Sequence, residues 1–231
     1  MVMVSRLILA SAALTVSASA LAAQSLTDGL YIQGFAGYSQ LQDSDFGGTV
    51  NGSPQSVDTD FDAGYGLGIA VGKEIPQWSN DRIGTRVELE LSYRDNDVDG
   101  VNFSGNGPGN EGNTSGDITQ TSLFGNVLFD IKQNSAFTPY VGLGLGVTYS
   151  DIDISYGPGV RLDDSETNFA AQVIAGVAYE VNETTALTLD TRYSRTFGVS
   201  TNRVAPNGAS TGSVEDDIDT FSVNVGLRYG F

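Results

Sequence analysis

Arg86, Glu88, Glu90 and Arg94 fall on alternate positions of one short stretch, with Val87, Leu89, Leu91 and Tyr93 on the other phase. An extended chain sends successive side chains to opposite faces, so two guanidinium and two carboxylate groups share one face and apolar groups share the other. Charges gathered in this way can form an ion-pair network, line a path for ions or transfer protons. Asp130, Glu180, Asp190, Arg192 and Arg228 fall on the polar phase of similar stretches and join the same candidate set. A second candidate is Asp95, Asp97 and Asp99, which with Gly100 match the first half of a calcium loop, D-x-[DN]-x-[DN]-G. Its twelfth position is Asn106 where that loop needs a bidentate glutamate, so a solvated acidic loop competes with calcium binding there.

Other chemistries lack their reagents. The chain has no histidine and no cysteine, which removes zinc sites of the usual kind and Ser-His or Asp-His catalysis. The runs Gly64-x-Gly66-x-Gly68 and Gly142-x-Gly144-x-Gly146 have the wrong spacing for a nucleotide-binding loop. They lie inside alternating stretches, where glycine makes room for large groups on other strands. No cofactor is expected beyond the weak calcium candidate.

Eight stretches of period two must position these residues. They begin near residues 30, 63, 85, 119, 140, 172, 187 and 221, and each opposes an apolar phase to a polar or small one. The last places Phe221, Val223, Val225, Leu227, Tyr229 and Phe231 against Ser222, Asn224, Gly226, Arg228 and Gly230. Phe124 and Leu128 break the pattern of the fourth. Long polar connections at 42–60, 95–117, 151–167 and 199–217 alternate with short ones near 75–82, 132–137 and 182–185. The long ones hold 17 of the 28 acidic residues, against only Arg161 and Arg203.

The ends and the charge narrow the setting. Arg6, an apolar run from Leu7 to Val16 and small residues ending in Ala22 and Ala23 read as a secretory signal peptide over residues 1–23, cleaved after 22 or 23. The mature chain, 24–231, then carries ten basic and 28 acidic residues, which argues against nucleic acid. No later stretch has the roughly 18 to 20 consecutive apolar residues of a membrane helix. A membrane setting therefore demands a closed barrel. The predicted fold is all-β: an eight-stranded antiparallel up-and-down transmembrane β-barrel with four long extracellular loops and three short periplasmic turns. Its apolar phase faces lipid, and its charges meet in a lumen just wide enough for side chains to fill.

The signal peptide, the eight strands, the stretch from Thr138 through Pro139, Tyr140, Val141, Gly142 and Leu143 to Gly144, and the aromatic ending resemble the small bacterial outer-membrane β-barrel superfamily. That superfamily includes the membrane domain of outer membrane protein A and the opacity-type antigens. The resemblance implies export through the Sec pathway, residence in the outer membrane, and Tyr229 and Phe231 as an assembly signal read by periplasmic chaperones and the β-barrel assembly machinery. The expected partners are outer-membrane lipid and lipopolysaccharide, the latter bridged to the acidic loops by divalent cations, and a monomer is expected. The leading function is a non-enzymatic structural or surface-interaction role in the cell envelope; the alternative is a small porin or channel. Outer-membrane deacylases, phospholipases and proteases rely on histidine, and a peptidoglycan anchor needs a further periplasmic domain.

Overall fold

A computed structural model describes residues 29–42, 44–50, 53–61, 63–104, 110–111, 115–156, 160–204 and 210–231, with side chains described over 29–42, 63–96, 117–151, 165–199 and 217–231. Eight long strands form the wall: β1 (Leu30–Leu41), β4 (Gly64–Glu74), β5 (Ile83–Ser104), β7 (Ser115–Ile131), β8 (Phe137–Tyr156), β9 (Val160–Glu180), β10 (Thr185–Val204) and β11 (Ser210–Gly230). Three shorter strands, β2 (Ser44–Val50), β3 (Ser53–Phe61) and β6 (Asn110–Glu111), lie beside the upper part of β5 in the order β2–β3–β5, with β6 also on β5. The expected signal peptide lies outside the described residues.

The wall is closed and antiparallel throughout. Following directly paired residues round it from Leu41 leads through Thr220, Ser194, Gln172, Gly144, Asn126, Glu88 and Gly72 to Tyr31, ten residues lower on the starting strand. Ten residues at about 3.3 Å set against eight strands at about 4.8 Å give a tilt of ~40° and a radius of ~8 Å. That bore leaves room for side chains and little else.

Burial is inverted relative to a soluble sheet. Leu143, Leu145 and Val225 on the outside are each more than 60% exposed, whereas Arg86 and Glu90 inside are 1% and 0% exposed. An apolar wall around a charged interior is what hydrocarbon requires. Tyr38, Tyr65, Tyr149, Tyr193 and Phe221 mark one rim of the apolar band, while Phe137, Tyr179, Tyr229 and Phe231 mark the other.

Phe124 and Leu128, the two exceptions of the fourth stretch, are lumen residues buried against the glycines they pair with. A Cβ at Gly146 would lie 2.7 Å from Phe124 Cδ1, and one at Gly142 would lie 2.9 Å from Leu128 Cγ. Gly72 and Gly68 on β4 admit Tyr31 and Phe35 on β1 in the same way. The glycines thus accommodate directly paired neighbours on adjacent strands, not groups reaching from the far wall.

The connections differ from expectation at one end. Turns at 75–82, 132–136 and 181–184 are short as predicted, the first containing a 3-10 turn, Pro76–Trp78. The supposed long loops are mostly strand: β5 continues to Ser104, β8 to Tyr156 and β10 to Val204, and the first connection forms the β2–β3 hairpin. Period two disappears from the sequence of these extensions while the backbone stays paired. One ladder is interrupted. β9 and β10 pair up to Thr196↔Ala170 and again only at Val204↔Arg161, with Gly198 at φ +62° where they part.

Candidate functional site

The polar phase of the strands delivers two arginine-centred clusters into the lumen. Near the short-turn end, Arg86 Nε donates to both oxygens of Asp130 at 3.1 Å. Its Nη1 reaches Glu88 Oε1 at 2.5 Å and the Tyr31 hydroxyl at 2.9 Å, and that hydroxyl donates to Glu88 Oε1 at 2.6 Å. The guanidinium lies 4.8 Å from the centre of the Tyr140 ring.

The second cluster sits about Arg192. Its Nε donates to Asp190 Oδ1 at 2.9 Å, and its Nη1 lies 2.6 Å from Glu90 Oε1, a charge contact rather than an aligned hydrogen bond. The Phe35 ring supports the guanidinium at 3.9 Å. Asn126 Nδ2 donates to Glu90 Oε2 at 2.7 Å, and Gln172 Nε2 donates to that oxygen and to Asn126 Oδ1. Tyr140 joins the clusters: its ring covers Arg86, while its hydroxyl donates to Asp190 Oδ2 at 2.9 Å. Asn224 Nδ2 also donates to Asp190 Oδ1. A buried charge left without its partner costs about 3–5 kcal/mol, so these contacts hold one another in place.

Three members of the expected network stand elsewhere. Arg94 is buried but makes no ion pair among the described residues. Among the described residues Arg228 meets no carboxylate across the barrel; its guanidinium lies over the Tyr31 ring at 5.5 Å and lines the short-turn mouth with Glu74, Glu180 and Glu183. Glu180 keeps the lumen phase but is exposed at that mouth, accepting from Thr138 Oγ1 at 3.4 Å. Beyond the last turn of wall there is no interior for it to enter.

Of the calcium candidate, the backbone of Asp95, Asp97 and Asp99 runs extended in strand β5, and the side chains of Asp97 and Asp99 lie outside the described residues. Asp95 accepts from the hydroxyls of Tyr65 at 3.0 Å and Tyr93 at 3.4 Å.

Sequence reasoning missed Tyr31 and Phe35 as members of the lumen. Their signal was available: both fall on the polar phase of β1, where an aromatic is out of place unless it fills the bore.

Outside the apolar band, two residues beyond Tyr193 and Phe221, Arg195 grips Asp219 through Nε and Nη2 and approaches Asp217 at 3.9 Å. The bidentate guanidinium holds the Asp219 carboxyl below the usual aspartate range.

Known proteins share this architecture. The family model described as outer membrane protein beta-barrel domain matches residues 8–231. The chain is 25% identical over 225 residues to the outer membrane protein PagN of Salmonella typhimurium, covering 91% of this chain and 93% of that one. The solved structure of OprG from Pseudomonas aeruginosa superposes with a TM-score of 0.56 at 18% identity, over 89% of this chain and 98% of that one. Neisserial surface protein A gives 0.51 at 16% identity, over 88% and 98%. At those identities the structural likeness speaks for the fold alone. The hydrocarbon that the outer wall needs is that of the Gram-negative outer membrane, and the chain belongs to the outer membrane protein beta-barrel domain family.

Proposed function

We propose that this barrel is a non-enzymatic, sealed envelope protein whose work is done by the hairpins it holds above the outer leaflet. The observation that carries this reading is the engagement of every buried lumen carboxylate among the described residues. Glu88 is held by Arg86 and Tyr31, Glu90 by Arg192, Asn126 and Gln172, Asp130 by Arg86, and Asp190 by Arg192, Tyr140 and Asn224. A carboxylate so occupied is neither a free base nor an ion-binding rung of a channel.

The strand extensions support the surface role. β5, β8, β9, β10 and β11 each run 20 residues or more, about twice the 9–11 that cross a bilayer. The extra length presents paired, acidic backbone outside the membrane. Its anionic character suits contact with lipopolysaccharide through bridging divalent cations.

Tyr229 and Phe231 form an edge-to-face pair at 5.4 Å on the outer wall, and Phe231 N donates to Leu30 O at 3.0 Å. Removing Phe231 gives up one hydrogen bond and one ring contact, whereas its recognition by the assembly machinery would make the loss in cells far larger.

Planar-bilayer recording of the refolded protein separates the sealed barrel from a small channel. The expected record has no reproducible unitary steps; steps abolished by charge substitutions in the lumen would establish a channel instead.

A further inference from the structure

At one level the β10–β11 hairpin loses its regular bonding along every seam. The β9–β10 ladder stops at Thr196↔Ala170 and rejoins only through the single pair Val204↔Arg161. Between β10 and β11 the register shifts from Thr196↔Ile218 to Val199↔Asp216, so Phe197 and Gly198 together face Asp217. On the far side of β11, Gln42 N donates to Asp219 O just past the end of β1, and β2, which lies beside β11, has no ladder pair with it among the described residues. Above this line the hairpin is regular again, from Val199↔Asp216 through Thr201↔Val214 to Arg203↔Gly212.

A glycine and two side chains span the line. Gly198, at φ +62°, holds a bend that any side chain would strain, and glycine is the residue whose backbone turns at least steric cost. Its N–H donates to Asp217 Oδ1 at 2.9 Å and its carbonyl accepts from Asn168 Nδ2 at 2.8 Å, so side chains stand in for the missing ladder bonds. Inside, the lumen turns apolar at the same level. Leu41, Ile118, Val199 and Ile218 are the outermost buried residues described on β1, β7, β10 and β11, above hydroxyl positions such as Ser122 and Thr220. Of these four, only Val199 belongs to the hairpin above the line.

We propose that the β10–β11 hairpin beyond Gly198 is a hinged flap over the outer end of the lumen, with Val199 as its plug and Leu41, Ile118 and Ile218 as its seat. A hinge needs only a few residues to absorb the change in φ and ψ while the pieces on either side stay rigid. Rotation at Gly198 breaks the Asn168 bond, the Val204↔Arg161 pair and the burial of Val199, but no continuous ladder. Apolar burial of the plug favours the closed position. The two arginine clusters close the lumen beneath, so an open flap bares the seat and makes no pore. The flap rests on the proposed surface role, in which the hairpins do the work, and gives one of them two positions.

The chain has no cysteine, so a single introduced thiol reports on the seat. In the refolded full barrel, a water-soluble maleimide should label Ile118→Cys and Ile218→Cys about tenfold faster than Ile174→Cys, a buried position that pairs with Arg192 lower in the lumen and is reached only by global unfolding. Gly198→Ala, added to each, should raise the two seat rates about fivefold, because a side chain disfavours the closed bend, and leave the Ile174→Cys rate unchanged. Backbone amides from Val199 to Arg203 should still be protected from exchange when the seat is fully labelled, since the hairpin moves in one piece. Seat labelling no faster than that of Ile174→Cys, an equal rise in all three rates with Gly198→Ala, or hairpin amides that exchange before the seat is labelled would overturn the flap. Two seat positions keep the test decisive if one variant fails to fold. Slow seat labelling would leave the sealed barrel standing, whereas unitary conductance steps would sink that reading and not the flap.

Discussion

Arg192 on β10 and Glu90 on β5 meet at 2.6 Å although their strands stand on opposite sides of the ring, four places apart in an order of eight. The contact spans the bore, so it ties walls that share no backbone ladder. Removing one partner leaves the other buried and unpaired. Arg192→Gln or Glu90→Gln alone should cost about 3–5 kcal/mol, whereas the two together should cost clearly less than the sum, the part that remains reflecting Asp190, which also loses Arg192. Urea unfolding in lipid vesicles measures all three; additive losses in the double variant would show that the pair is not coupled.

The glycines of β8 give a second test because they differ in what faces them. A Cβ at Gly144 would fall 2.1 Å from Asn126 Oδ1 and 2.8 Å from Gln172 Cγ, inside the hydrogen-bonded support of Glu90. Nothing lies within 4 Å of a Cβ at Gly34, on the outer wall of β1. Gly144→Val should be destabilising by more than 2 kcal/mol through overpacking and loss of those bonds, and Gly34→Ala should change stability by less than about 0.5 kcal/mol. Similar values for the two would contradict the packing described for the lumen.

Leu143 pairs with Val127 and Val173 in the middle of the apolar band and is 61% exposed. A guanidinium placed there faces hydrocarbon at depth. Leu143→Arg should cost about 2–4 kcal/mol in vesicles, and Phe137→Arg at the rim about 0–1 kcal/mol. The order of the two costs fixes which rows of the wall lie near the midplane.

The Arg195–Asp219 pair predicts a pH dependence in the β10–β11 hairpin. Asp219 is held below its ordinary value in the fold, so it binds a proton more readily when unfolded. Its contribution is therefore fully present above about pH 4, the ordinary aspartate value, and is lost as pH falls below that toward the depressed value. Asp219→Asn should be more susceptible than wild type to proteolysis of the hairpin at pH 6, with the difference vanishing in acid. A difference that does not shrink as the pH falls below the ordinary aspartate value would point to another cause.

The eight membrane-crossing strands were legible because hydrocarbon on one side and a packed lumen on the other impose period two on the sequence. Leu143, Leu145 and Val147 against Gly142, Gly144 and Gly146 show that imprint plainly. Above the membrane the imprint fades, so β5 beyond Asp95 and the whole of β2 and β3 read as loop. Within the lumen, charge type was legible and pairing was not. Arg86, Arg192 and their carboxylates could be placed on one phase, but the register that brings Glu90 to Arg192, and gives Arg94 no ion pair among the described residues, depends on a stagger of ten residues round the ring. Short-range spacing carries no information about that stagger.

The match of ring to glycine also bears on how the wall closes. Phe35 on β1 pairs with Gly226 on β11, where a Cβ would lie 3.1 Å from its own, and with Gly68 on β4. A slip of two residues at the β1–β11 seam preserves the inside-outside alternation, so lipid alone would not reject it. The slip would set Phe35 against Asn224 or Arg228, colliding with a side chain where the native register offers a notch. Gly226 thus acts as a keyway: the seam between the first and last strands can lock in only one position, and the ring cannot shut out of step.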